Sequence, residues 1–185
     1  MESKLLAMTT YSIENSLELI CKELINDLKI KYHNEAGACY LTGHVLDRSF
    51  KSLGYNSKEV TGILHLKDTN GKWVIYGPDH YKKFGKLVGY YHTWCCVNIN
   101  EVEYIIDPTP ITMKSFLKKI FKVKLSKNLP DYVVSSNLKG LSYIYEEDES
   151  LVPKSKEFLI RIPEADIIQL VINTTYRLKT HFQPQ

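Results

Sequence analysis

Cys39, His92 and Asp107 are the residues of this chain whose types and spacing could do chemistry. Cys39 stands in Gly37-Ala38-Cys39-Tyr40, His92 in His92-Thr93-Trp94, and Asp107 in Ile106-Asp107-Pro108-Thr109. Together they read as a nucleophile, a proton carrier and an orienting carboxylate, a set suited to attack on an acyl carbon through a thiolate. Positions 41, 45, 46, 50 and 53 after the cysteine are apolar at helical spacing, and Gly54 fits a C-terminal stop. Cys39 is therefore expected at a helix N-terminus, where aligned peptide dipoles and free N–H groups favour an anion.

The elements that must carry the other two residues form a hairpin. Tyr90 to Asn98 and Val102 to Ile106 are rich in aromatic and β-branched residues, with Ile99-Asn100 at the centre of the connection. A two-residue loop there, or a four-residue loop over 98–101, predicts that Asn98 faces Glu101 and His92 faces Asp107 directly. Opposed residues have Cβ atoms roughly 4.5–5.5 Å apart, close enough for a carboxylate to hold an imidazole by hydrogen bonding. A one-residue slip would send the two to opposite faces.

With 185 residues and a net charge of +3, the chain fits one domain spanning 1–185, with a core over about 12–110 and a C-terminal extension of the same domain over 111–185. The small charge does not argue for nucleic acid. There is no secretory apolar segment and no run of transmembrane length, so a cytoplasmic protein without membrane contact is expected. Four cysteines are too few for a disulfide framework, and Cys95 and Cys96 would point to opposite faces of a strand. A zinc set could draw on Cys39, His92, Cys95, Cys96, His33, His44, His65 and His80. No Cys-x-x-Cys or His-x-x-x-His pair exists among them, which argues against a metal.

Elsewhere, Ile13, Leu17, Ile20, Leu24 and Leu28 predict a helix over 12–30, with Ser12 as N-cap and Cys21 as a small buried hydrophobe. Two strands over 60–66 and 72–76 flank the turn Asp68-Thr69-Asn70-Gly71, and 77–85 reads as a loop leading toward the His92 strand. A helix is expected over 112–121, strands over 143–145 and 157–162, an acidic loop over 146–150, and a last helix with Pro163 in its first turn. Lys114, Lys118, Lys119, Lys122, Lys124 and Lys127 give the 114–127 stretch a basic edge, either a solvated face or a contact for an acidic partner.

A cysteine at a helix start, His-x-Trp on a strand and Asp-Pro-Thr closing the next strand resemble the transglutaminase-like superfamily of the papain-like cysteine peptidase fold. Gly37-Ala38-Cys39 and Leu53-Gly54-Tyr55 look like that family's cysteine helix and its exit, and the likeness runs from Tyr32 to Thr109. The resemblance implies an α+β fold in which N-terminal helices, one carrying the nucleophile, pack on an antiparallel β-sheet. It implies Cys39 as nucleophile, His92 as general base and Asp107 as the orienting carboxylate. The glutamine found before the cysteine in papain-like peptidases is missing from 32–36, which leaves the Cys39 backbone N–H and the Asn34 amide as oxyanion donors. Trp94 corresponds to the aromatic two residues beyond the histidine, and Tyr91 and Trp94 flank the site.

The expected activity is thiol-dependent acyl chemistry on a peptide or protein amide through a thioester, with no cofactor. Hydrolysis, as by a peptidase, amidase or deamidase, is favoured because water needs no acceptor site. Amine transfer of transglutaminase or N-acetyltransferase type is the alternative, and a noncatalytic binding domain that keeps the fold is a reading of a different class.

Overall fold

The first helix, α1 (Glu2–Tyr32), lays Leu17, Ile20, Cys21, Leu24, Ile25 and Leu28 along one buried stripe. The structure, a computed structural model, describes residues 2–32 and 38–181, with side chains over 13–31 and from 38 on. α1 begins well before residue 12, so Ser12 is not its N-cap. The preceding segment holds good helix formers and neither glycine nor proline to stop it. The second helix, α2 (Cys39–Ser52), ends as its sequence predicts. Gly54 takes φ +84°, its N–H donates to the Lys51 carbonyl at 3.0 Å, and the Tyr55 N–H donates to the Phe50 carbonyl at 3.1 Å. The Tyr55 ring then packs edge-on against Phe50, which seals the turn.

Among the described residues seven strands follow: β1 (Ser57–Lys67), β2 (Trp73–Tyr76), β3 (Lys86–Gly89), β4 (His92–Ile99), β5 (Val102–Asp107), β6 (Val133–Ser135) and β7 (Tyr143–Glu147). They form one sheet, with β3, β2, β1, β4, β5 and β6 in succession and β7 also on β1. The sheet is mixed, where an antiparallel one was expected, because β2 and β3 are parallel. Parallel neighbours need a crossover, and the 77–85 segment supplies it through a 3-10 turn over Asp79–Lys83.

β1 organises the site because its two edges are used differently along its length. Gly62 pairs with both His92 and Glu147, so β4 and β7 lie on opposite edges of β1. Beyond Gly62 the β4 edge passes to β2, and Leu64 pairs with both Tyr76 and Tyr145. His92 and Tyr76 thus become neighbours at the junction, with ring centroids 5.8 Å apart. Gly62 permits the crowding, since a Cβ there would run into the Glu146 carbonyl.

Two cores flank the sheet. On one face Cys95, Val97, Ile99 and Ile106 pack with α1, α2 and α5 (Glu164–His181). On the other, Val60, Leu64, Trp94, Cys96 and Tyr145 pack with Met113 and Leu117 of α3 (Pro110–Ile120) and with Val123, Leu125 and Leu129. Cys95 and Cys96 do point to opposite faces, and Cys21 is fully buried. Arg177 of α5 clamps Asp27 of α1 through two N–H donors at 2.6 and 3.0 Å. The expected strand over 157–162 is instead part of helix α4 (Val152–Leu159) and its exit: Lys154, Lys156, Glu157 and Leu159 favour a helix, and Pro153 suits its first turn. Glu146 and Glu147 lie within β7 rather than in a loop, and Pro163 sits just before α5, accepting from the Asp166 N–H at 2.9 Å. Among the described residues no helix is long and apolar enough to cross a membrane.

Candidate active site

The hairpin that carries His92 and Asp107 forms with a register two residues away from the expected one. Ile99 pairs with Val102 and Cys95 with Ile106, so the two-residue loop is Asn100-Glu101 and not Ile99-Asn100. Both loop residues are left-handed, at φ +52° and +66°, a conformation that suits a tight hairpin and that asparagine tolerates well. Asp107 therefore lies diagonal to His92, not opposite it. The two still share a face, because a shift of two preserves the alternation of side chains, and a diagonal pair is within reach of long side chains.

His92 and Asp107 are both fully buried, and His92 Nε2 lies 2.8 Å from Asp107 Oδ2. The carboxylate is saturated. Oδ2 also accepts from the Tyr145 hydroxyl at 2.6 Å, and Oδ1 accepts from the Thr109 hydroxyl at 2.6 Å and the Thr109 N–H at 2.9 Å. Asp-Pro-Thr is thus a local device: the turn after β5 folds the threonine back onto its own aspartate. Burial would raise the Asp107 carboxyl, but the charge and hydrogen bond of His92, with Thr109 and Tyr145, hold it below the usual carboxylate range. Burial likewise opposes charge on His92, and Asp107 followed by Cys39 overcomes it, raising the imidazole from 6.5 to about 10. The ring is held as an imidazolium at neutral pH.

The other ring nitrogen, Nδ1, is buried and has no hydrogen-bond partner among the described residues. The Cys39 thiol is near enough to strengthen the base without meeting hydrogen-bond geometry. Cys39 is the first residue of α2, at the end where backbone N–H groups lack intrahelical partners. What brings this end to β4 is Gly43, one turn on: a Cβ there would sit 2.9 Å from Thr93 Cγ2 and 3.2 Å from the Trp94 carbonyl. Of the four cysteines only Cys39 is partly accessible. Burial pushes the Cys21 and Cys95 thiols well up and that of Cys96 to about 11.

Cys39 opens onto a cavity of about 280 Å³ walled by α2, β2, β3, the 89–91 turn, α3 and α4. Tyr40, Tyr76 and Tyr91 line it. Burial first and the Cys39 charge second raise the phenols of all three, so they stay protonated donors. Tyr76 and Tyr145 escaped the sequence reading. Their only local signal is aromatic alternation in short strands, whereas their place at the site comes from pairing on β1.

The remaining predicted site residues divide. Tyr91 lies on the cavity wall as expected. Trp94 is on the same face as His92 but does not line the cavity. It is 1% exposed and nearly parallel to the imidazole at 6.3 Å, so it flanks the site from the core, packing behind the ring, and is not available to a substrate. Asn34, like the rest of 33–37, lies outside the described residues. In the basic stretch Lys114 is taken up by Asp131 at 2.6 Å and the Leu129 carbonyl at 2.7 Å, and Lys122 donates to the Lys119 carbonyl at 3.0 Å. Among the described residues no three His, Cys, Asp or Glu side chains gather as a metal set.

No protein-family model matches the chain, and no curated protein matches it. A solved structure described as the crystal structure of genomics APC5867 is similar in fold, with a TM-score of 0.55 and 12% identity. The match covers 86% of this chain and 77% of that one. The class that fold and site define is an α+β protein with a mixed sheet, helices packed on both faces, and a buried His-Asp pair beside a partly exposed cysteine.

Proposed function

We propose that Cys39, His92 and Asp107 form the catalytic triad of a transglutaminase-like cysteine hydrolase acting on an amide. The observation that carries this reading is the His92 ring, fixed by a saturated carboxylate on Nε2, left with an unpartnered Nδ1, and close enough to the accessible Cys39 thiol for the two to interact electrostatically. Cys39 Sγ attacks the carbonyl carbon, forming a C–S bond and moving the carbonyl electron pair onto oxygen. The Cys39 backbone N–H and the protonated Tyr76 hydroxyl on the same wall supply donors to that oxygen. His92 then gives its Nδ1 proton to the leaving nitrogen, the C–N bond breaks, and a thioester remains. Water attacks the thioester carbon as Nδ1 takes its proton, and the acid leaves with the thiolate regenerated.

Iodoacetamide alkylation at pH 6.5, read by peptide mass spectrometry, tests the first step. Cys39 should be labelled at least ~10-fold faster than in His92→Gln, since the variant removes the charged ring that interacts with the sulfur. Cys39→Ser should abolish both labelling and release of amine from amide substrates. Equal alkylation in wild type and His92→Gln would leave a domain of this fold without a working triad.

A further inference from the structure

The cavity beside Cys39 has the size and lining to select what a thioester on that residue would carry. Its wall includes Tyr76, Val88, Tyr90, Met113, Phe116 and Phe158, and no described lining residue is Asp, Glu, Lys, Arg or His. His92 lies behind Cys39 and is fully buried, and the cations Lys154 and Arg161 are exposed. The latter two lie against the rings of Tyr90 and Phe158, at 3.4 and 5.2 Å from the ring centroids, rather than on the cavity wall. An apolar cavity of about 150 Å³ holds a benzene molecule, and this one is about 280 Å³. It therefore has room for an aromatic ring and a short linker to the sulfur. Away from the tyrosine hydroxyls, a charged group would lose its hydration there without gaining a partner, whereas a ring gains apolar contact and edge or face contacts with the aromatic wall.

From this lining and volume we infer that the acyl group transferred to Cys39 is uncharged and apolar, of aromatic size, and is held in this cavity. The inference rests on the reading of Cys39 as nucleophile and names the substrate class for it. Groups much smaller than the cavity leave it wet, and acidic acyl groups are rejected by it. The Tyr40, Tyr76 and Tyr91 hydroxyls near the sulfur mark the polar end, and Val88, Met113, Phe116 and Phe158 mark the apolar remainder.

Three N-acetylcysteamine thioesters, carrying acetyl, phenylacetyl and succinyl groups, test this on the full chain. Cys39 Sγ attacks the thioester carbon, the new C–S bond forms, and the old one breaks to release N-acetylcysteamine. Acylation is read by intact mass, and each rate is divided by that of the same thioester with free cysteine. Phenylacetyl should exceed acetyl by at least about tenfold, the factor expected from burying roughly two methylene-sized groups, and succinyl should be the slowest. Phe116→Ala should lower the phenylacetyl-to-acetyl ratio, and Phe116→Arg should lower it further and bring succinyl above phenylacetyl. Equal corrected rates for acetyl and phenylacetyl, or a preference for succinyl, would overturn the inference while leaving Cys39 a nucleophile. Acylation by none of the three would overturn it as well, and slow iodoacetamide alkylation in the same preparation would show that the nucleophile reading had failed with it.

Discussion

Raising the pH should remove stability from this fold through one proton on His92. In the unfolded chain the imidazole titrates at its ordinary 6.5. Folded, it is buried, which opposes charge, yet Asp107 and then Cys39 hold it protonated to about 10. Between these values His92 holds one proton more in the folded protein than in the unfolded chain, so its contribution to stability falls as pH rises, by about 1.4 kcal/mol per pH unit. Below 6.5 both states hold the proton and the contribution is complete, whereas above about 10 it is gone. Over the whole span the loss is about 5 kcal/mol, a large part of the roughly 5–15 kcal/mol that holds a domain together. The lowered carboxyl of Asp107 is the same pair seen from the acid, so its energy is not added again. Urea unfolding followed by tryptophan fluorescence at pH 7, 8 and 9, under reducing conditions, would measure the slope. His92→Gln is the comparison, with both proteins carrying Cys39→Ser so that no thiol coupled to the ring titrates, because the glutamine amide can still donate to Asp107 but does not titrate and the remaining ionising groups cancel. The Cys39→Ser protein should lose about 1.4 kcal/mol more per pH unit than the double variant. Parallel curves would mean that the buried imidazole carries no extra proton in the folded state, and the charge argument for the site would fail.

Tyr145→Phe removes one of four hydrogen bonds to the Asp107 carboxylate and should cost about 1.5–3 kcal/mol of unfolding free energy, as expected for a bond to a charged acceptor; a loss under 0.5 kcal/mol would show the hydroxyl to be dispensable. Gly43→Ala gains about 1 kcal/mol of helix propensity but forces a Cβ to within 2.9 Å of Thr93, so a net loss of about 1–2 kcal/mol and slower Cys39 alkylation are expected, the second because α2 must move off β4. Unchanged alkylation in a folded Gly43→Ala protein would contradict that positioning role. Glu101→Gly relieves a left-handed residue in the hairpin loop and should stabilise the fold by about 0.5–1 kcal/mol, and an unchanged urea midpoint would count against the loop assignment.

The α2 helix and its Gly54 stop were legible because each rests on local pattern. Helical spacing follows from one turn to the next, and the glycine at φ +84° is a local requirement. The hairpin was legible only modulo two: side-chain alternation reports the face, while the loop conformation decides which residues oppose, and Asn100-Glu101 lacks the glycine that would have announced it. Tyr145 and Tyr76 were not legible at all. They reach the site through pairings on β1 with Leu64, which lies 12 positions from Tyr76 and 81 from Tyr145, and no short-range pattern encodes which edge each takes. Residues 157–162 misled for a related reason, since Phe158-Leu159-Ile160 is an apolar run that fits a short strand or a helix equally until its neighbours are placed.

A purely structural account of the His92–Asp107 pair meets a difficulty of magnitude. Buried ion pairs are often no more stabilising than apolar residues of the same volume, because the removal of two charges from water costs as much as their attraction returns. Here that cost is met by four hydrogen bonds on the carboxylate, drawn from β4, the 107–109 turn and β7. Yet the imidazole those bonds support is left with an unpartnered nitrogen, a deficit of about 1–3 kcal/mol for a buried polar group. A fold selected for stability alone would close that deficit with a nearby hydroxyl or carbonyl. What interacts electrostatically with the ring besides Asp107 is instead a partly exposed thiol that lines a cavity, as the proposed triad requires. The carboxylate is satisfied completely and the imidazole on one side only, and that asymmetry is what a proton carrier requires: a fixed ring with one nitrogen free to act.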